Sequence, residues 1–178
     1  MIEVKVQSLG LDRTSNTPVV ILQEMDGTRV LPIWIGPGEA SAIAMELAGM
    51  KFSRPLTHDL FVSMVRGLGG MLMRVLITKV IDNTYYAELI IQRGAEVISV
   101  DARPSDSIAI ALRMEARIFT TDELLENTSI EIADGTTSPE DFVTDAPASD
   151  QNVGNLSPDE LREYLKRMNP EDFGRFNP

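Results

Sequence analysis

VLPIWIGPGEASAIAMELAGM, residues 30–50, changes its hydrophobic period halfway along, and that change decides the fold class. Before Gly36 the apolar residues run almost continuously, as in a buried strand. After the break at Gly36, Pro37 and Gly38, the residues Ala40, Ile43, Ala44, Leu47 and Ala48 recur at helical spacing. The spacing predicts a helix of about three turns, with a small-residue face suited to close packing on a sheet or a partner subunit. Gly49 suits its end. A strand that passes directly into a helix places both element types in one packed unit.

Upstream, IEVKVQSLGLD alternates Ile2, Val4 and Val6 with Glu3, Lys5 and Gln7, the period of a half-buried strand. TPVVILQEM is a second strand, and DGT turns the chain into the third, so an antiparallel meander is expected at the start. Downstream, RPLTHDLFVSMVRGLGG predicts another helix, with Pro55 in its first turn, Leu60, Phe61 and Met64 as apolar contacts and the Gly67–Gly70 region as its stop. MLMRVLITKVIDNTYYAELIIQRGAEVISVDAR reads as three strands divided by DNT and RGA turns. PSDSIAIALRMEA returns to helical spacing through Ile108, Ala111, Leu112 and Glu115 after a polar first turn. RIFTT is a short strand, DELLENT a helical turn and SIEIA an edge strand. Blocks of strands with helices between them give an α+β fold: a mixed, largely antiparallel sheet with three main helices packed against it.

The character changes near Ala133. Residues 133–156, rich in Asp, Ser, Thr, Pro and Gly, read as an acidic linker without a core of its own. Residues 157–178 read as an amphipathic helix and tail, with Ser157 as N-cap, Pro158 at the first position, Glu160 completing a capping box and Leu161, Tyr164, Leu165 and Met168 in one stripe.

Composition narrows the chemistry. The chain has 178 residues and no cysteine, which excludes disulfides, thiolate zinc sites and cysteine nucleophiles. The N-terminus lacks a basic, apolar leader and no stretch approaches the roughly 20 apolar residues of a membrane span, so the expectation is a soluble cytoplasmic protein without a membrane partner. The net charge of −11 is uneven: residues 1–120 hold 12 Lys and Arg against 13 Asp and Glu, and residues 121–178 hold 4 against 14. Polyanion binding would therefore depend on a local basic patch.

Two polar clusters sit where helices are predicted to begin: Arg54, Thr57, His58 and Asp59, and then Asp101, Arg103, Ser105, Asp106 and Ser107. A helix start offers free N–H groups and the positive end of its dipole, so these arginines and serines could hold a phosphate, with Arg54, Ser105 and Ser107 binding the substrate. The carboxylates of Asp59, Asp101, Asp106 and Glu39 could instead converge on Mg²⁺ or Mn²⁺, hard cations that take oxygen ligands. Such a metal would activate a water, with His58 as proton carrier and Arg103 on the developing phosphate charge. Plainer readings compete: Thr57 to Asp59 and Ser105 to Asp106 are also ordinary helix starts. Glu39 and Glu46, seven apart, read as a solvated stripe, Met71 and Met73 as core or interface filling, and Trp34 as packing.

VLPIWIGPGEASAIAMELAGMKFSRPLTHDLF and VDARPSDSIAIALR resemble, in order and separation, the two signature segments of the bifunctional nuclease domain family. The resemblance covers about residues 2–132, so that 1–132 is expected to be a bifunctional-nuclease-like domain. It implies an α+β fold, oligomerisation as a dimer or higher, and DNase and RNase activity with nucleic acid as substrate. The family's characteristic polar positions fall on Glu39, Arg54, His58, Asp59, Asp101, Arg103, Ser105 and Asp106. The tail LREYLKRMNPEDF is similar to a C-terminal helix of bacterial relatives. Two functions stand as expectations: a divalent-metal-dependent nuclease of little sequence preference, with His58, Asp59, Asp101 and Arg103 catalytic, or a non-enzymatic oligomeric module holding an anionic ligand.

Overall fold

The computed structural model describes residues 1–12 and 15–128, in which strands and helices come in blocks. The first block is β1 (Ile2–Leu11), β2 (Pro18–Glu24) and β3 (Val30–Trp34), followed by α1 (Pro37–Leu47) and α2 (Thr57–Gly67). The second is β4 (Gly70–Ile81), β5 (Thr84–Arg93) and β6 (Glu96–Ala102), followed by α3 (Pro104–Met114), β7 (Arg117–Thr120) and α4 (Asp122–Thr128). The predicted SIEIA strand, the linker 133–156 and the helix 157–178 lie outside the described residues.

All seven strands join one sheet in the order β3-β2-β1-β7-β4-β5-β6. Each block is an antiparallel meander, as the period-two segments predict. The β4–β5 turn is two residues long, and both, Asp82 and Asn83, have positive φ, the geometry that matches strand twist in a tight hairpin. The seam between the meanders is β7, only four residues, antiparallel to β1 and parallel to β4. A parallel pair needs a long crossover, here β5, β6 and α3. Thr120 secures the seam from a fully buried position, its Oγ1 donating to the Ile77 carbonyl at 3.1 Å. The sheet is therefore mixed and largely antiparallel, and the fold is α+β.

At the centre of the helical layer lies α3. It packs on α1 and α2 on one side and on β4, β5 and β7 on the other. Enclosure on both sides explains why Ile108, Ala109, Ile110 and Ala111 are all buried, where an amphipathic helix would bury one stripe. Pro104, Ser105 and Ser107 are buried too, so of the first turn read as polar only Asp106 keeps partial exposure. Small side chains on α1, Ala40, Ala42 and Ala44 around Ile43, are buried, and α1 packs mainly on α3. α4 adds Leu124 and Leu125 to the same core and touches both β3 and β4.

Several expectations need correction. Pro55 precedes α2, whose first residue is Thr57, with Leu56 extended as the N-cap. On α2 it is Val62 that is buried, with Phe61 and Val65 packed against the core, while Leu60 and Met64 face outward. Leu47, Met71 and Met73 are exposed, and half-exposed Trp34 donates its indole N–H to Asp12 at 2.8 Å. Among the described residues no helix is long and apolar enough to cross a membrane.

Candidate functional site

The α2 start is organised by Asp59, whose position three residues past the N-cap lets its Oδ2 accept the Leu56 amide at 2.9 Å. That bond satisfies one orphan N–H and fixes where the first turn begins. His58 is thereby carried toward α3, and its Nε2 lies 3.2 Å from Oδ1 of Asp106. The two predicted helix starts share one site.

Asp106 also receives Arg103. The Arg103 Nε–H donates to Oδ2 at 2.7 Å and an Nη2–H to Oδ1 at 3.2 Å, a two-pronged grip within the first turn of α3. A third guanidinium nitrogen reaches back to α1, where Nη1 is 2.7 Å from Oε1 of Glu39. Glu39, Arg103, Asp106 and His58 form one connected network drawn from α1, the α3 start and α2. His58 is 16% exposed and Arg103 65%, so the imidazole is sheltered while the guanidinium meets solvent. Burial disfavours the Asp106 carboxylate, but hydrogen bonds from Arg103 and His58 outweigh it and hold the group below the usual aspartate range. The Asp106 bond and charge, followed by those of Glu39, raise the Arg103 guanidinium above its already high value.

Directly behind this network runs a second, built on a residue the sequence reading passed over. Arg113, on the last turn of α3, is 6% exposed. Its Nε–H donates to Oδ1 of Asp59 at 2.7 Å, Nη1–H to the Ala109 carbonyl at 2.9 Å and Nη2–H to the Ala42 carbonyl at 3.2 Å. Glu46 stands 3.7 Å from the same Nε. One guanidinium thus ties α1, α2 and α3 together, and its fork geometry suits three separate acceptors. Burial again works against the Asp59 charge, and the bonds from Arg113 and the Leu56 amide overcome it, leaving its carboxyl below the ordinary value. Glu39 and Glu46 are not a solvated stripe: each faces an arginine of the α3 segment. No spacing within α1 signals this, because both arginines come from a segment more than fifty residues further along the chain.

The remaining candidates divide. Arg54 is exposed in the loop leading to α2, beside exposed Lys51 and Phe52, and has no ion-pair partner among the described residues. Ser105 and Ser107 are buried, and the Ser107 hydroxyl has no hydrogen-bond partner among the described residues. Asp101 stands apart on β6, where it is exposed and opposite Glu88 of β5. Among the described residues, no three His, Asp or Glu side chains group as a metal-holding set. Asp59 and Asp106 present their oxygens to arginines, a backbone amide and His58, and Glu39 is taken up by Arg103. As arranged, this donor set does not fit Mg²⁺ or Mn²⁺: a hard cation there would have to displace a guanidinium.

What the arrangement can do follows from the imidazole. An ionised Asp106 accepts from Nε2–H, which fixes the tautomer and leaves Nδ1 with its lone pair, the form of a general base. Exposed Arg103, beside it, presents N–H groups to an anion.

Residues 20–133 match the family model for the bifunctional nuclease domain. The chain is 39% identical over 171 residues to an uncharacterised protein of Mycobacterium tuberculosis strain H37Rv, covering 96% of this chain and 97% of that protein. It is 29% identical over 137 residues to Bifunctional nuclease 1 of Arabidopsis thaliana, covering 75% of this chain and 41% of that protein. Bifunctional nuclease 2 of Oryza sativa subsp. japonica is 28% identical over 116 residues, 63% of this chain and 36% of its own length.

Proposed function

Because the chain belongs to the bifunctional nuclease domain family, we propose that it is a phosphodiesterase that cleaves DNA and RNA with little sequence preference and works in the cytoplasm. The observation that carries this reading is the contact of His58 with Asp106 beside the exposed Arg103 guanidinium. In it, His58 Nδ1 removes the proton from the attacking oxygen, a water for DNA or the ribose 2′-hydroxyl for RNA. Asp106 orients the ring and stabilises the imidazolium that forms. Arg103 draws the scissile phosphate to the α3 start and takes up charge as the phosphorus becomes five-coordinate; the bond from phosphorus to the leaving sugar oxygen then breaks, and that oxygen takes the proton held by the His58 imidazolium. Arg54 and Lys51 supply exposed cations for neighbouring phosphates.

No step is routed through a metal, since the donor set does not fit one; dependence on Mg²⁺ or Mn²⁺ is put to the same assay. Purified protein is incubated with labelled single- and double-stranded DNA and RNA, with each metal and with chelator. Cleavage that falls at least about a hundredfold in His58→Asn, as expected when a general base is lost, supports the reading. Unchanged cleavage in that variant rejects His58 as base, and cleavage abolished by chelator restores the metal mechanism. Binding of nucleotides or phosphate without any cleavage identifies the non-enzymatic anion-holding module instead.

A further inference from the structure

The sheet carries a second buried apolar cluster, on the face turned away from the helices. Val19, Ile21 and Val30 are 0%, 7% and 4% exposed and form a group separate from the main core. Across the β2–β3 ladder Val19 faces Trp34, Ile21 faces buried Pro32 and Gln23 faces Val30, so these residues share one side of the sheet. The other side carries Val20, Leu22, Leu31 and Ile33, and each of the four helices packs into the core there, through residues such as Ile43, Val62, Ile108 and Leu124. No described helix therefore covers the cluster. Nor does Trp34: it stands 45% exposed at the Val19 end, and Val30 lies four residues, roughly 13 Å, away along β3, beyond the reach of one indole. An antiparallel sheet face left to water carries polar residues; buried Val, Ile and Pro mark a face that is covered.

We propose that the cover is this chain's own amphipathic segment 157–168, docked as a helix along β2 and β3. Its apolar stripe of Leu161, Tyr164, Leu165 and Met168 extends over about 10 Å of helix, close to the length of the cluster. A lone helix this short is marginal in water, so docking supplies what it needs to form. The path fits as well. β3 is the edge strand, α4 touches it, and Arg29 beside Val30 donates to Asp122 at the start of α4 at 2.9 Å. The chain leaves the described body beside one end of the cluster and has a single strand to round. The 28 residues 129–156 reach up to about 90 Å when extended, far more than that turn requires. Covalent attachment also gives the segment a local concentration that a separate protein lacks. Charge sets the direction. Lys5, exposed and without an ion-pair partner among the described residues, pairs with Gln23 and so lies on the same face at the Val30 end. The segment carries Asp159 and Glu160 in its first turn, so its start belongs at that end, where the chain arrives. The docking rests on none of the site chemistry above.

Paramagnetic NMR on the full chain tests it. The chain has no cysteine, so Lys166→Cys places a single thiol on the polar side of the segment, to carry a nitroxide. The expected result is loss of most amide intensity along β2 and β3, with β6, at the far edge of the sheet, unaffected. Adding Leu165→Asp, which puts a charge into the stripe, should restore the lost signals. The remaining amides of the body show in the same spectra that each variant is folded. Isotope-labelled chain without nitroxide, mixed with unlabelled chain that carries it, separates the sources: broadening that persists in the mixture comes from another copy and overturns the proposal. Broadening centred elsewhere, such as on exposed Leu60 and Met64 of α2, overturns it too, as does broadening unchanged by Leu165→Asp or none at all.

Discussion

Nε2 of His58 lies 3.2 Å from Oδ1 of Asp106, a contact between residues 48 positions apart that makes the starts of α2 and α3 a single site. Each start taken alone is an ordinary helix beginning. Together they supply a ring nitrogen oriented by a carboxylate, next to an arginine that the same carboxylate holds in place.

Asp106→Asn keeps the size of the side chain while removing the charge that fixes the histidine tautomer. Cleavage should fall by about 10² to 10⁴ in kcat, the range associated with positioned acid–base groups, with KM changed far less. Steady-state assays on one oligonucleotide read both constants, and an unchanged kcat would remove Asp106 from the mechanism.

Arg103→Ala tests the exposed end of the network. The guanidinium is 65% exposed, so its ion pairs are solvent-screened and the thermal midpoint should barely move. Substrate affinity should weaken instead, with Arg103→Lys recovering only part of it because an ammonium lacks the two-pronged geometry. Equal losses of stability and affinity would argue that Arg103 is structural.

Arg113→Met removes a buried guanidinium from three acceptors on three elements. Breaking a buried pair costs roughly 3–5 kcal/mol; because Asp59 keeps some access to water, about 2–3 kcal/mol is the expected loss. Arg113→Lys should recover less than half, since one ammonium cannot reach all three groups. Chemical denaturation measures both.

Acid should weaken the same joint. Asp59 and Asp106 titrate below the usual range in the folded protein, so each stabilises the fold fully above the ordinary aspartate value of about 3.9. That stabilisation disappears as pH falls below this value and through the depressed folded one. Unfolding midpoints followed down through that window should drop more steeply in the wild type than in Asp59→Asn, in which one titrating group is missing.

Glu115→Gly should stabilise the protein. Glu115 ends α3 at φ 53°, a left-handed conformation that glycine adopts without a Cβ clash. A gain of about 0.5–1 kcal/mol is expected, measurable as a rise in the midpoint of thermal unfolding.

The elements themselves were legible in the residues. Period two in IEVKVQ, the paired turns at DNT and RGA, and the helical recurrence after Gly36 each report a local preference that the folded chain keeps. Faces were harder. Leu60 and Met64 read as apolar contacts alongside Phe61 because helical spacing alone cannot say which of two apolar stripes turns inward, and α2 has both. Arg113 escaped notice because it follows an apolar run at the end of a helix, where a basic residue is expected for the dipole alone. Only packing reveals that its guanidinium is buried among acceptors from three helices.

By itself, then, the sequence determined the order of strands and helices, the α+β class, the two polar helix starts and the family signature, since each depends on residues near one another along the chain. Tertiary structure alone decided that His58 meets Asp106, that Arg103 joins Glu39 to that pair, and that Asp101 stays apart on β6. The reason is geometric. Placing β7 between the two meanders requires α3 to cross back over the sheet, and that crossing carries its first turn to α1 and α2. Long-range strand pairing, which no local spacing encodes, therefore brought these residues into one site.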